Sequence, residues 1–421
     1  MGRRTTEDQR DTTTTHEDAT AGAGTGAEFG TDVMTLLVAA LRGAVKLEAT
    51  AVGTENLLAA LVMGDSDAGA AIAPGMRKPG AIGGLVAGRG GRGWASTDDA
   101  DTAASRADAA DAHEVTAAWR EAHWRFGLDV RRPAAEDDRP LPGMTGALRG
   151  CLLLALESAR AEGSVSVRCR HVARALLELP DSRAREALVV ERLDPDAATR
   201  ALDALDTRDA GDPDGSGRPE SHGVLLLRRA GTLGRSGNPL TRALTSWLSG
   251  SGQYGSPVLF AVLVETDRQT VRGGRREVQP VDLLLGILAL DRALAVAGKA
   301  LPGELAAANS AAALLRRHGV RPDRLARAAS TAGEAAAGGK VRRSGTAERA
   351  TAVAQLKAAE HGSPTVGTVH LLAALLDESG PEADAPGQDT RAPDTAVAGL
   401  LAAQGVDVAA LRADLPLGPG A

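Results

Sequence analysis

Apolar positions recur along this chain in a unit that returns four times. An Ala-rich amphipathic stretch comes first, at Val33–Lys46, Gly146–Ala161, Pro257–Val271 and Ala347–Ala359. A short phrase follows, at Val52–Leu61, Val167–Leu176, Val278–Ile287 and Val366–Leu375. In the fourth phrase Leu371, Leu372, Leu375 and Leu376 fall at i, i+1, i+4 and i+5, which places all four on one helix face. A shorter apolar segment, a Gly-containing turn and a last helical stretch close the unit. They are seen at Thr395–Gln404, Gly405–Asp407 and Ala409–Asp414, and again at Ala311–Arg317, His318–Val320 and Pro322–Ala329. The pattern predicts helix, capped helix, helix, turn, helix, and a repeat of this kind fixes the architecture before any other feature does.

Local chemistry at the start of each phrase supports a helix there. Thr54 and Thr368 are expected as N-caps, their hydroxyls accepting from free backbone N–H groups of the first turn. Pro280 suits a first helical position because its missing N–H costs nothing there. The second copy, with Cys169 at the corresponding place, carries no recognisable start signal.

Composition narrows the fold class. With 421 residues and 43% hydrophobic side chains there is enough apolar material for two or three domains. Only 2% of residues are aromatic, so the cores must be packed from Ala, Leu and Val, which suits closely spaced helices better than sheets. An all-α protein is expected. The Ala, Gly and Arg content has the look of a high-GC, actinobacterial-like coding sequence. A net charge of −6 with mixed signs gives no basic field of the kind that drives nucleic-acid binding. The start has no apolar signal core, and no apolar run is long enough to cross a bilayer, so a cytoplasmic protein without membrane contact is expected.

The fourth copy, Gly367-Thr368-Val369-His370-Leu371-Leu372 with Gly405-Val406-Asp407 downstream, resembles the N-terminal repeat of Clp-family unfoldases, usually worded Gly-Thr-Glu-His-Leu-Leu and later Gly-Val-Asp. The likeness touches about three quarters of the chain. It is clearest in the fourth copy, weaker in the first, and weakest in the second and third. In that family two repeats make one compact Clp N domain, so four imply two domains, each a pseudo-twofold pair of four-helix repeats. The expected organisation is a disordered tail over 1–27, a first domain over 28–206 with repeats near 30–130 and 144–206, a linker over 207–223, and a second domain over 224–415 with repeats near 255–330 and 346–415. A Gly-rich insertion at 64–112, with glycines concentrated at 83–93, interrupts the first repeat and reads as a mobile stretch. An extra helical segment is expected between Val224 and Gly255.

The resemblance implies a docking function: Clp N domains receive adaptors, substrate peptides, arginine-phosphorylated proteins and, in actinobacteria, cyclic peptide antibiotics. In the arginine-phosphate sites of the family the phrase's glutamate meets the guanidinium, as paired acceptors on a carboxylate suit a planar fork of donors. Here that position is Glu55, while the other copies carry Arg170, Val281 and Val369. At most one such site is expected, at Gly53, Thr54 and Glu55, with Thr368 and His370 as further candidate ligand-binding residues. The competing interpretation of Glu55 is a carboxylate favoured by the dipole of the first helical turn.

Catalytic signatures are missing from the sequence. The nearest approach to a phosphate-binding loop, Gly333–Val341, has one glycine too many before Lys340 and a valine in place of the magnesium-binding hydroxyl. Cys151 and Cys169 are expected to be reduced and buried, and His113 and His123 to be surface or packing residues. No cofactor and no metal site is expected. The chain thus reads as a non-catalytic accessory or decoy module of the Clp system. The alternative is a structural protein–protein interaction scaffold unrelated to proteolysis.

Overall fold

The computed structural model describes residues 26–74, 80–90, 93–99, 108–129, 141–211, 220–233, 256–331, 340–377 and 397–417. The protein is all-α, and its described residues include six two-residue strands that serve as fasteners between helices. Its apolar side chains form two separate cores, one from Ala27 to Leu202 and one from Val224 to Leu411.

In the first half the helices are α1 (Thr31–Lys46), α2 (Thr54–Met63), α3 (Asp67–Ile72), α4 (Gly80–Arg89), α5 (Ala109–Asp129), α6 (Gly146–Ala161), α7 (Cys169–Glu178), α8 (Arg183–Val190) and α9 (Pro195–Gly211). Strands β1 (Glu28–Phe29), β2 (Ala51–Val52), β3 (Gly143–Met144) and β4 (Ser166–Val167) precede α1, α2, α6 and α7. The second half holds α10 (His222–Arg229), α11 (Pro257–Arg272), α12 (Pro280–Val296), α13 (Gly303–Ala306), α14 (Ala311–Arg317), α15 (Pro322–Ala329), α16 (Gly345–Glu360), α17 (Thr368–Asp377), α18 (Val397–Ala403) and α19 (Val408–Ala413). Its strands are β5 (Glu277–Val278) and β6 (Arg342–Arg343), ahead of α12 and α16.

The strand pairing is reciprocal. In the first half β1 pairs in parallel with β4, and β2 with β3. The lead-in to the first helix of each repeat is therefore hydrogen-bonded to the lead-in to the second helix of the other. The second half repeats the arrangement: β5 pairs in parallel with β6, and the Ser256 hydroxyl donates to the Val366 carbonyl at 2.6 Å where the other pair would lie. Each repeat thus completes its neighbour's backbone hydrogen bonding, which ties the two together through groups that would otherwise be left unpaired.

Pro280 opens α12 as expected, while capping differs from the expectation at the other three copies. Helices α2 and α17 begin at Thr54 and Thr368 themselves, and the cap positions are Gly53 and Gly367. The capping side chain lies three residues on and reaches back. Gly53 N–H donates to Asn56 Oδ1 at 3.0 Å, Arg168 N–H to His171 Nδ1 at 2.9 Å, Gln279 N–H to Asp282 Oδ2 at 2.9 Å and Gly367 N–H to His370 Nδ1 at 3.0 Å. The second copy therefore has its start signal after all, in His171. Glycine at 367 is required by close approach, since a Cβ there would run into the Ala308 carbonyl.

The insertion is more structured than its glycine content suggests. Within it α3 and α4 form, and α4 buries Ile82 completely and Val86 almost so. Residues 93–99 lie across the starts of three helices, and α5 begins at Ala109, near the end of the insertion. Helix α9 runs to Gly211, past the expected boundary at 206. Of the extra segment, α10 is described; Trp247 lies outside the described residues, as do the tail through Thr25 and most of Gly333–Val341. No helix among the described residues is long and apolar enough to cross a membrane.

Helix α5 is the beam between the halves. One side packs on α1 and α6 and the other on α11. Its contact with α11 is polar and buried: Arg272 pairs with Glu114 and with Glu121 (2.9 Å), and Arg268 lies 3.5 Å from both Glu28 and Glu121. Arg120 donates back to the carbonyls of Arg272 (3.2 Å) and Thr331 (3.1 Å). Burial alone would raise the Glu121 pKa, but Arg125, Arg268 and Arg272 more than reverse this and hold it at about 2.

Candidate functional site

The five residues singled out from the sequence do not form one open site. Gly53, Thr54 and Glu55 lie in the first half, Thr368 and His370 in the second. Thr54, Glu55, Thr368 and His370 are all buried, with His370 fully so. His370 spends its Nδ1 on the Gly367 N–H, so its proton sits on Nε2, a buried atom without a partner. Burial lowers its pKa, and His361 adds to the effect.

The first-turn donors of these helices are answered from within the chain. Thr54 N–H donates to Asp98 Oδ2 at 2.8 Å, Cys169 N–H to Asp32 Oδ2 at 2.9 Å, and Thr368 N–H to Asn309 Oδ1 at 3.0 Å. In the remaining copy the residue is Pro280, which has no N–H to satisfy. A free helix start is a ready seat for an anion; here each seat is filled or absent. Glu55 is likewise engaged, its Oε1 3.2 Å from Arg183 Nη1, and burial raises its pKa despite that neighbour. The expected arginine-phosphate site is thus closed by an internal guanidinium at Glu55 and an internal carboxylate at Thr54.

Open concavities lie elsewhere, one of about 430 Å³ between α1, α2 and α4 and another at the join of the halves. Between the halves is a cleft of about 330 Å³, within the range of small-ligand pockets. Ala110, His113 and Ala117 of α5 face Leu285 and Leu288 of α12 and Ala326 of α15 across it. The charges at its walls are matched: Arg272 with Glu114, Arg316 with Asp291, and Arg292 with the carbonyls of Gly26 and Val165. Two buried atoms at the cleft lack a hydrogen-bond partner, Asp323 Oδ1 and one on His113. On His113 the atom is Nε2, and burial, followed by Arg272, Arg120 and Arg327, brings the imidazole's pKa down to about 4, so it is neutral at pH 7. A largely apolar cleft with one neutral imidazole suits an uncharged or weakly polar ligand group.

The sequence reading missed this cleft because its walls come from the insertion helix α5 and from two helices of another repeat, so no contiguous pattern marks it. His113 and His123 were expected at the surface or in packing. His123 is buried against Trp119, with ring centroids 5.0 Å apart, and burial lowers its pKa to about 4. Cys151 and Cys169 are buried and form no disulfide, and burial pushes both thiols far above their ordinary range, which makes them inert. No group of three or more His, Cys, Asp or Glu among the described residues is arranged to hold a metal ion.

Fold and site together define an all-α protein of two cores, with sister repeats cross-fastened by strands and a cleft between the halves. No protein-family model, no curated protein and no solved structure matches the chain at a significant level.

Proposed function

We propose that the protein is a non-catalytic binding module of the Clp proteolytic system, acting as an accessory or decoy that docks adaptors, substrate peptides or Clp-directed small molecules such as cyclic peptides. The observation that carries the binding function is the cleft between the halves, apolar in its lining and edged by charges that already have partners. Such a site favours an apolar side chain or a compact neutral molecule over a free ion. Support for the Clp connection is the repeat phrase itself, together with the reciprocal fastening of sister repeats. The closed helix starts move the docking place from the phrase to the cleft.

The test is affinity capture from lysate with the intact chain as bait, read by mass spectrometry. Recovery of Clp subunits, adaptors or their substrates supports the proposal. Recovery of unrelated partners with no Clp component above background overturns the Clp assignment and favours an interaction scaffold.

A further inference from the structure

The start of α2 is answered differently from the others. Asp32 and Asn309, which serve α7 and α17, each give one oxygen to one helix-start N–H. Asp98 collects donors from three elements. Its carboxylate accepts from Thr54 N–H (2.8 Å) and Thr54 Oγ1 (2.6 Å) at the start of α2. It also accepts from Thr145 Oγ1 (2.8 Å), the N-cap of α6, and from Arg183 N–H (3.1 Å), the first residue of α8. Its own carbonyl accepts from Ala147 N–H at 2.9 Å. All three helices are long enough to carry a positive N-terminal end, and their ends meet at one carboxylate.

Two further observations set this point apart from ordinary capping. Asp98 is 1% exposed and holds φ at 62°, a left-handed conformation that costs a non-glycine residue roughly 1 kcal/mol and persists where surroundings enforce it. Beside it Glu55 is 3% exposed, and its Oε1 lies 3.2 Å from Arg183 Nη1, so this second carboxylate is met by a guanidinium and leaves the helix-start donors to Asp98. The segment is also clamped from outside. The Arg183 guanidinium donates to the carbonyls of Ser96 (3.4 Å) and Thr97 (3.0 Å), and Ala95 N–H donates to Glu186 Oε2 at 2.7 Å.

We infer that residues 93–99 are an internal ligand: Asp98 seats its carboxylate in an oxyanion site built by the starts of α2, α6 and α8, and with that carboxylate removed the same donors hold a free oxyanion of carboxylate or phosphate size. Four N–H and O–H donors in a buried cup, aligned with three helix ends, are a strong receptor for negative charge. Leaving them empty would bury unsatisfied donors. The chain supplies an acceptor from its own insertion. This inference concerns a place distinct from the inter-half cleft and does not depend on which partner the cleft takes.

The test uses the full chain with Asp98→Gly. Glycine accepts φ of 62° without strain, so this substitution removes the carboxylate while relieving the backbone. Thermal unfolding is followed in sodium formate, sodium phosphate and sodium chloride at matched ionic strength. The expected result is a saturable rise in Tm for the variant with formate or phosphate over chloride, about 2 °C at tenfold excess over Kd. Wild type and Asp98→Asn, whose cup stays filled, show no such difference. The inference is overturned when Asp98→Gly responds to the three salts as wild type does. Should Asp98→Gly fail to fold in chloride, refolding with formate or phosphate replaces the titration. Recovery with the oxyanions alone supports the site, and equal failure in all three salts overturns it.

Discussion

At the level of single residues, the phrase that repeats along the chain is a capping device. Asn56, His171, Asp282 and His370 are chemically different, yet each accepts the N–H of the residue three before it. One requirement, an acceptor that can fold back over the first turn, explains all four. The sequence showed the helix starts but led to the wrong capping atom, because Thr54 and Thr368 offer the more familiar signal. Histidine is an uncommon capping side chain, which hid His171 and made His370 look like a ligand. His370→Ala should lower stability by about 1–2 kcal/mol in urea unfolding, and His370→Asn by less than half of that, since asparagine does the same work in the first copy. A larger loss for Asn than for Ala would refute the capping role. Glu55→Gln should change stability by less than about 1 kcal/mol, because one carboxylate oxygen has no partner to lose and Arg183 retains two carbonyls. A loss above about 3 kcal/mol would show that the Glu55–Arg183 pair carries more than that geometry indicates.

At the level of elements, long amphipathic helices were legible nearly to the residue: Gly146–Ala161 was expected and is α6, and Pro257–Val271 ends one residue short of α11. The insertion was not. Gly80, Gly83, Gly84 and Gly88 lower helix propensity enough to conceal α4, although Ile82 and Val86 are spaced to share a helix face. Packing against α2 and α8 overrides that propensity. Ile82→Ala should therefore cost about 2–4 kcal/mol, as in a packed core, with the change read from the midpoint of chemical denaturation. A cost below about 0.5 kcal/mol would mean that the segment behaves as a loop. The burial of the polar face of α11 has no local signal either, because Arg268 and Arg272 find their carboxylates on α5, far away in the chain.

For the whole molecule, the join between the halves depends on charge. Glu121 and Glu28 both have pKa values lowered by the arginines despite burial, so each contributes stability present above the unfolded value near 4.5 and lost as pH falls toward the folded value, about 2 for Glu121. For Glu121 alone this is on the order of 3 kcal/mol. Glu114 opposes them, its pKa being raised chiefly by burial, with the nearby Glu28 adding to it. Half-buried His113 and buried His123 act earlier. His113 and His123, lowered to about 4, contribute stability that is full above pH 6.5 and lost between 6.5 and 4. Stability should fall in two overlapping stages on acidification, and His123→Gln should flatten the first of them in urea midpoints measured from pH 7.5 to 4. An unaltered slope between pH 6.5 and 4 would exclude His123 from the acid response.

The account places binding in the cleft between the halves and closes the helix starts to outside ligands. The most direct measurement is quantitative capture with the intact chain carrying either Ala326→Trp, which fills the cleft from α15, or Glu55→Ala, which alters the start of α2, each shown to be folded by circular dichroism. The account predicts that Ala326→Trp abolishes recovery of the partners bound by wild type while Glu55→Ala retains them. Retention by Ala326→Trp with loss by Glu55→Ala would contradict it and return the binding function to the repeat phrase.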